Sequence, residues 1–128
     1  KFSDLEGKTG PYLLYSTVRM NSLLTKSNAD IENLHIIKIK TSEEKEIFQL
    51  LLRMPIILEN AFQDKSLNDI SEYVYKLTSS YNKFYAENHI LTCEDNELKM
   101  SWLALTKIVY DANILLLDTL GIMVPEKM

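Results

Sequence analysis

The sequence predicts an all-α protein, an antiparallel bundle of about five helices joined by short loops. Glycine and proline occur only three times each among 128 residues, which favours long uninterrupted helices over a turn-rich β-sandwich. Hydrophobic residues make up 46% of the chain, enough for one domain with a packed core. Apolar residues also recur three or four positions apart, as in an amphipathic helix. The most regular of these stripes is Leu67, Ile70, Val74, Leu77, Tyr81 and Phe84.

The first part of the chain contains a linker and a helix. Residues 1–10 are polar and include two glycines, and we interpret them as a linker that precedes a helical domain at 11–128. Pro11 suits the first turn of a helix, where its missing N–H is not needed. A helix is predicted over 11–26. Residues 31–40 are expected to be irregular or briefly extended.

Capping signatures and a proline divide the middle of the chain. Thr41 followed by Glu44 matches a capping box, in which the hydroxyl and the carboxylate satisfy each other's backbone N–H groups. Pro55 is expected to end the helix that begins there and to open the next one, because proline lacks the N–H that a helix interior uses. Ser66 followed by Asp69 indicates a further helix start.

The last helix is predicted from Asn96 to Leu120, with Trp102 on its inward side. Gly121 is the expected left-handed residue that ends it, and Pro125 prevents it from continuing.

Charge and cysteine content narrow the classes of protein. The formal net charge is −4, which argues against a free-standing nucleic-acid binder, because phosphate binding relies on Lys and Arg. Cys93 is the single cysteine, so no disulfide can form within the chain and a reducing, cytoplasmic location is expected. No signal peptide is visible. The apolar runs are far shorter than the ~20 residues that span a bilayer, so no membrane partner is expected.

Signatures of catalysis and of cofactor binding are missing from the sequence. It contains neither a P-loop nor a G-x-G-x-x-G motif. His35 and His89 are far apart and lack partners at metal-ligand spacing. Cys93 has no convincing catalytic partner and is interpreted as a structural thiol. We therefore expect no catalytic, cofactor or metal site in this chain.

The first predicted helix has an aromatic side away from its core stripe. Tyr12, Tyr15 and Arg19 are three and four positions apart, so they share one side, which Ser16 and Leu23 extend. Exposed tyrosines stack on unpaired nucleobases, and arginine adds cation–π contacts or hydrogen bonds to base edges. This side is therefore a candidate binding surface for single-stranded nucleic acid.

Two other interpretations fit the same spacing. The tyrosines can instead pack beneath another helix while the aliphatic part of Arg19 carries its charge to solvent. An acidic bundle with an aromatic patch can also serve as a protein-interaction module.

Three motifs, in order, resemble the C-terminal domain of arginyl-tRNA synthetases. Residues 6–19 read E-G-K-T-G-P-Y-L-L-Y-S-T-V-R, residues 81–85 read Y-N-K-F-Y with I-L at 90–91, and residues 120–128 read L-G-I-M-V-P-E-K-M. The resemblance covers essentially the whole chain. It departs from the usual pattern mildly, at Leu14, at 16–18 and at Lys127.

The resemblance implies a helical bundle of the DALR anticodon-binding type. Such a domain recognises the anticodon loop of arginine tRNA, while a separate class I catalytic domain of the same chain uses ATP and Mg²⁺ to charge the tRNA. A monomer is expected. Cysteinyl-tRNA synthetases carry related domains and are the alternative parent. By motif match, the anticodon-binding residues are Tyr12, Tyr15, Arg19, Tyr85 and Met128.

Overall fold

The computed structural model describes residues 9–36 and 39–121, which form four α-helices and one short 3-10 turn. The helices are α1 (Thr9–Lys26), α2 (Ser42–Asp64), α3 (Leu67–Glu87) and α4 (Asn96–Thr119), and the 3-10 turn is Ile31–Asn33. No strand occurs in these two ranges. The all-α prediction is confirmed, with four α-helices in the described residues rather than about five.

The extra predicted helix came from Pro55, which does not end α2 but lies inside it. Proline cannot donate to the carbonyl four residues earlier, here that of Leu51. The neighbouring carbonyl of Leu50 accepts a hydrogen bond from the buried hydroxyl of Tyr73 on α3. The expected helix end was wrong because packing along α3 outweighs the ~3 kcal/mol that an internal proline costs.

The helix ends follow the capping chemistry of the sequence. The Thr41 backbone N–H donates to the Glu44 carboxylate at 2.9 Å and the Thr41 hydroxyl accepts from the Glu44 backbone N–H at 3.2 Å, which confirms the capping box. Ser66 precedes α3 as predicted, but its side chain makes no capping hydrogen bond with the described residues. Asp95 caps α4 by accepting from the Leu98 backbone N–H at 3.2 Å.

α1, α3 and α4 pack against one another, and α2 covers a further side of α3. Consecutive helices are antiparallel, so α1 and α3, which are neighbours in space, run in the same direction. Their contacts show this direction, since Tyr12 meets Ser79 and Arg19 meets Tyr85 further along both helices. The core between the helices includes Leu13, Met20, Ile47, Leu77, Phe84, Leu103 and Leu116.

A buried amide joins the three central helices. Asn113 of α4 donates through Nδ2 to Thr17 of α1 at 3.1 Å and to Thr78 of α3 at 2.9 Å. All three side chains are fully buried. Each bond stabilises the fold modestly, but an unpaired buried polar group is costly, so the network favours one alignment of the helices.

α4 is the most apolar of the four described helices. By length and composition it could cross a membrane, but 61% of that apolar window is buried inside the bundle, as in the central helix of a packed domain. Leu120 follows its last turn, and Gly121 has a φ of 80°. This is the left-handed conformation predicted for Gly121, which favours glycine because it has no Cβ.

Candidate nucleic-acid interface

Four of the five predicted site residues lie on α1 and α3, and three of them, Tyr12, Arg19 and Tyr85, make contacts across the junction of these helices. α1 contributes Tyr12, Tyr15 and Arg19, and α3 contributes Tyr85. Tyr15 is the most exposed, with 63% of its surface open to solvent, and Tyr12 is 36% exposed. Arg19 and Tyr85 are half-buried. The fifth residue, Met128, lies outside the described residues.

Asn82 of α3 joins these side chains through one amide. Its Nδ2 donates to the Tyr12 hydroxyl and to the Ser16 hydroxyl, each at 2.9 Å. Its Oδ1 accepts from Nη2 of Arg19 at 2.5 Å. Because a single planar group holds Tyr12 and Arg19 about two turns apart on α1, the spacing between them is fixed in the unbound protein.

Arg19 lies over an aromatic ring and does not extend freely into solvent. Its Cζ is 4.5 Å from the ring centroid of Tyr85, within the range of a cation–π contact. The Tyr85 ring also stacks on Tyr81, with centroids 6.2 Å apart and an interplanar angle of 28°. Tyr85 is therefore held in place by Arg19 and Tyr81 together.

Tyr12 contacts a second tyrosine at the other end of the junction. The ring centroids of Tyr12 and Tyr75 are 5.6 Å apart, with an interplanar angle of 49°. The hydroxyl of Tyr12 lies 3.3 Å from that of Ser79. Tyr75 itself is 47% exposed, so the pair forms an aromatic surface beside the Asn82 amide.

A pocket of about 270 Å³ opens beside Tyr85. Its wall consists of Leu23, Tyr85, Ala86, Asn88, His89, Ile90, Leu91 and Thr92. Apolar walls with a few polar groups at the rim are typical of sites that bind small flat groups. The pocket and the Tyr12–Tyr75 pair thus lie at opposite ends of the junction between α1 and α3.

The structure corrects the predicted extent of the aromatic side of α1. Ser16 and Leu23, which we placed on this side, are buried with 4% and 5% exposure. They point toward α3, which closes over them. The packing interpretation therefore holds for the part of this side nearest α3, while Tyr15, at its outer edge, remains exposed.

Sequence reasoning missed two residues of the site, Asn82 and Tyr75. Asn82 belongs to the Y-N-K-F-Y motif and lies three positions before Tyr85, so helical spacing already indicated that it faces the same way. Tyr75 belongs to no motif. It is seven positions before Asn82, two turns along the same face, and that spacing was its only signal.

Other tyrosines of the bundle have a structural role. Tyr81 is buried, and its hydroxyl lies 2.7 Å from that of Thr106. Burial raises the pKa of Tyr81 well above its ordinary value, with Thr106 opposing the change. A phenol that stays neutral in the core packs and hydrogen-bonds there, and Tyr81 reaches the surface only through its stacking on Tyr85.

Metal chemistry finds no support in the described ranges 9–36 and 39–121, where no group of three or more His, Cys, Asp and Glu residues is placed to hold an ion. Cys93 is half-buried, and its Sγ lies 3.6 Å from the backbone carbonyl of Asp95. The structural role of this thiol stays a prediction.

Known proteins resemble this chain along its whole length. The model of the family described as "DALR anticodon binding domain" matches residues 13–128. The chain is 36% identical to the arginine–tRNA ligase of Francisella tularensis subsp. novicida, and the match covers 100% of this chain and 23% of that protein. It is 35% identical to the arginine–tRNA ligase of Agathobacter rectalis, covering 100% of this chain and 22% of that protein.

Solved structures resemble the fold as well. The arginyl-tRNA synthetase of Plasmodium falciparum matches with a TM-score of 0.83 and 25% identity, over 97% of this chain and 22% of that one. The arginyl-tRNA synthetase of Thermus thermophilus matches with a TM-score of 0.83 and 26% identity, over 96% of this chain and 22% of that one. The chain thus spans about a fifth of the length of the relatives that it matches.

Proposed function

Because this chain belongs to the DALR anticodon binding domain family, we propose that the junction of α1 and α3 recognises the anticodon loop of arginine tRNA. The observation that carries the proposal is the shared surface formed by the residues of two separate motifs. Tyr12 and Arg19 from the first motif both bond to Asn82 of the second motif, and Arg19 also lies over the ring of Tyr85. Motifs about 65 residues apart in sequence thus build one surface.

Each side chain has a distinct task in this proposal. The exposed ring of Tyr15 offers a flat face to an unstacked base, and such a contact is worth ~1–3 kcal/mol. Arg19 supplies N–H donors to a base edge or phosphate. The pocket beside Tyr85 accepts a base turned out of the loop, and we propose that Met128 completes it with apolar contact.

The acidic charge of the chain suits a domain that reads bases. Most nucleic-acid affinity comes from phosphate neutralisation, whereas base contacts provide specificity. At a net charge of −4, this chain alone should bind tRNA weakly. We propose that the rest of the protein, about four fifths of the length of the relatives, binds other parts of the tRNA and adds affinity.

The parent protein is proposed to be a class I arginine–tRNA ligase. It would act as a cytoplasmic monomer, with ATP and Mg²⁺ bound in a catalytic domain outside this chain. The outer side of α2 is a suitable surface for that domain, since Leu52, Ile56 and Phe62 are 80%, 57% and 62% exposed. Exposed apolar patches commonly mark contacts with other parts of a protein.

A titration with RNA tests the proposed function. An arginine anticodon stem-loop, added to ¹⁵N-labelled chain, should shift the amide signals of 12–19 and of residues around Tyr85. The same stem with an unrelated loop is the matched control and should shift them less. In the complete enzyme, Tyr15→Ala should raise the KM for tRNA about 5- to 150-fold and leave tRNA-independent steps unchanged.

Two results would contradict the proposal. One is the absence of any shift at millimolar stem-loop, or shifts confined to the outer side of α2, which would favour a protein-interaction module. The other is submicromolar binding of unrelated RNA by the chain alone, since that requires phosphate affinity that its charge does not provide.

A further inference from the structure

We propose that Tyr75 and Tyr12 form a second stacking site, which takes another unpaired nucleotide of the loop bound at Tyr85. The inference rests on the proposed function and extends it to Tyr75, a residue that none of the three sequence motifs contains. Two observations carry it: the exposed pair of rings at one end of the α1–α3 junction, and the distance of that pair from the Tyr85 pocket.

The Tyr12 ring cannot turn away from this surface. Its hydroxyl accepts from the Asn82 amide at 2.9 Å and lies 3.3 Å from the Ser79 hydroxyl. Tyr75 lies against this fixed ring at 5.6 Å between centroids. A base cannot enter between them, because that needs about twice the ~3.4 Å separation of stacked rings. The base must therefore stack on the outward side of the pair, where Tyr75 is 47% exposed.

The position of the pair suits a nucleotide different from the one at the pocket. Tyr75 and Tyr85 are ten residues apart on α3, a rise of ~15 Å. A stacked strand advances ~3.4 Å per nucleotide, so the two ends are about four stacked nucleotides apart, and fewer when the strand is extended. An unpaired loop that places one base at Tyr85 therefore reaches Tyr75 with another.

The side of α3 that carries Tyr75 is suited to contact with a base, which needs no positive charge. The groove between α2 and α3, which Tyr75 does not line, holds Lys76 and Arg53 together with Glu46, Asp69 and Glu72. The mixed charges cancel much of the attraction for a phosphate. Stacking needs no net charge, because every base presents a π-face.

The test is a cycle of protein and RNA changes, in the complete protein, with an arginine anticodon stem-loop as the probe. Tyr75→Ala should raise the Kd about 5- to 150-fold, the loss that one stacking contact gives. Tyr75→Phe keeps the ring and should bind like the unaltered protein. Leu115→Ala, at a residue of α4 that is 51% exposed, is the control for removing a large exposed side chain.

Abasic nucleotides at single loop positions then identify the partner. At one loop position, removing the base should weaken binding to the unaltered protein. The same change should cause no further loss of binding to the Tyr75→Ala variant. This position should differ from the one whose base occupies the Tyr85 pocket. Tyr75→Ala should also leave the slope of log Kd against log salt unchanged, whereas Arg19→Ala should reduce it.

Three outcomes would overturn one or both proposals. Tight binding by Tyr75→Ala, with Tyr15→Ala impaired, would overturn the second site and leave the proposed function standing. The second site would also be overturned if Tyr75→Ala weakened binding but its loss added to that of every abasic change. The Tyr75 ring would then contact no base and would affect binding only through its neighbours in the protein. A stem-loop that fails to bind the unaltered protein would overturn both proposals.

Discussion

α3 borders two grooves, one with α1 and one with α2, and the two use tyrosine in opposite ways. In the α2–α3 groove, Tyr73 is 6% exposed and its hydroxyl donates to the Leu50 carbonyl of α2. In the α1–α3 groove, the hydroxyl of Tyr12 is held by Asn82 and its ring remains partly open. Tyrosine thus stabilises the α2–α3 groove through a buried ring, and in the α1–α3 groove it presents a partly exposed ring.

The difference comes from the position of the ring relative to the helix contact. A ring that points between two helices is desolvated and contributes to the core. A ring at the outer edge keeps its face free while its hydroxyl anchors it to the neighbouring helix. The number of tyrosines in a sequence therefore does not identify a binding surface. The hydrogen-bond partner of each hydroxyl shows whether its ring lies between two helices or at their outer edge.

The largest expected effect separates the two kinds of tyrosine by stability. Tyr73→Ala should lower the free energy of unfolding by ~3–5 kcal/mol, as removal of a buried aromatic ring does. Tyr15→Ala should change it by less than ~0.5 kcal/mol, as at other exposed positions. Urea denaturation of both variants measures this, and equal losses would remove the distinction between the grooves.

A smaller effect is expected from the amide in the α1–α3 groove. Asn82→Leu removes three hydrogen bonds, so it should destabilise the fold by ~1–3 kcal/mol and raise the Kd for the stem-loop about tenfold, because Tyr12 and Arg19 lose their fixed positions. Asn82→Asp, which still accepts from Arg19 and from both hydroxyls, should recover part of the stability. Ser80→Ala, which removes the 2.8 Å bond to Glu46 in the other groove, is the control and should leave the Kd unchanged.

The smallest effect concerns the hydroxyl of Tyr73. Tyr73→Phe should cost ~1 kcal/mol at neutral pH, because the Leu50 carbonyl loses a donor. Burial raises the pKa of Tyr73 from 10.0 to about 12, with Arg53 opposing the change.

The unfolded chain therefore releases this proton at lower pH than the folded chain does. The stability that the Tyr73 hydroxyl contributes is complete below about pH 10 and is lost as the pH rises toward 12. Urea unfolding at pH 7, 10 and 11 should show a smaller decline for Tyr73→Phe than for the unaltered chain. An identical decline would show that the hydroxyl is not buried as described.

Sequence reasoning predicted the fold well where local rules and packing agree. The capping box at Thr41, the helix end at Gly121 and the apolar stripe of α3 follow from capping and periodicity. All are present, except that Leu67, the first residue of the stripe, is exposed. It failed at Pro55, because the packing of α2 along α3 is a tertiary effect and has no local signature.

The candidate site was predictable only where its residues are close together on one helix or belong to a motif. Helical spacing grouped Tyr12, Tyr15 and Arg19, and the motif resemblance added Tyr85. The position of α1 beside and parallel to α3, which brings Asn82 and Tyr75 to the same surface, depends on tertiary packing and could not be deduced from spacing. Whether Met128 joins them stays a prediction.

Two consecutive residues of α1 are held by two different helices. The buried hydroxyl of Ser16 accepts from Asn82 of α3, and that of Thr17 accepts from Asn113 of α4. Turning α1 by one residue, about 100°, would break both bonds at once. The α1–α3 surface is therefore a rigid template, and a compound designed to wedge α1 away from α3 would meet resistance from inside the bundle as well as from its rim.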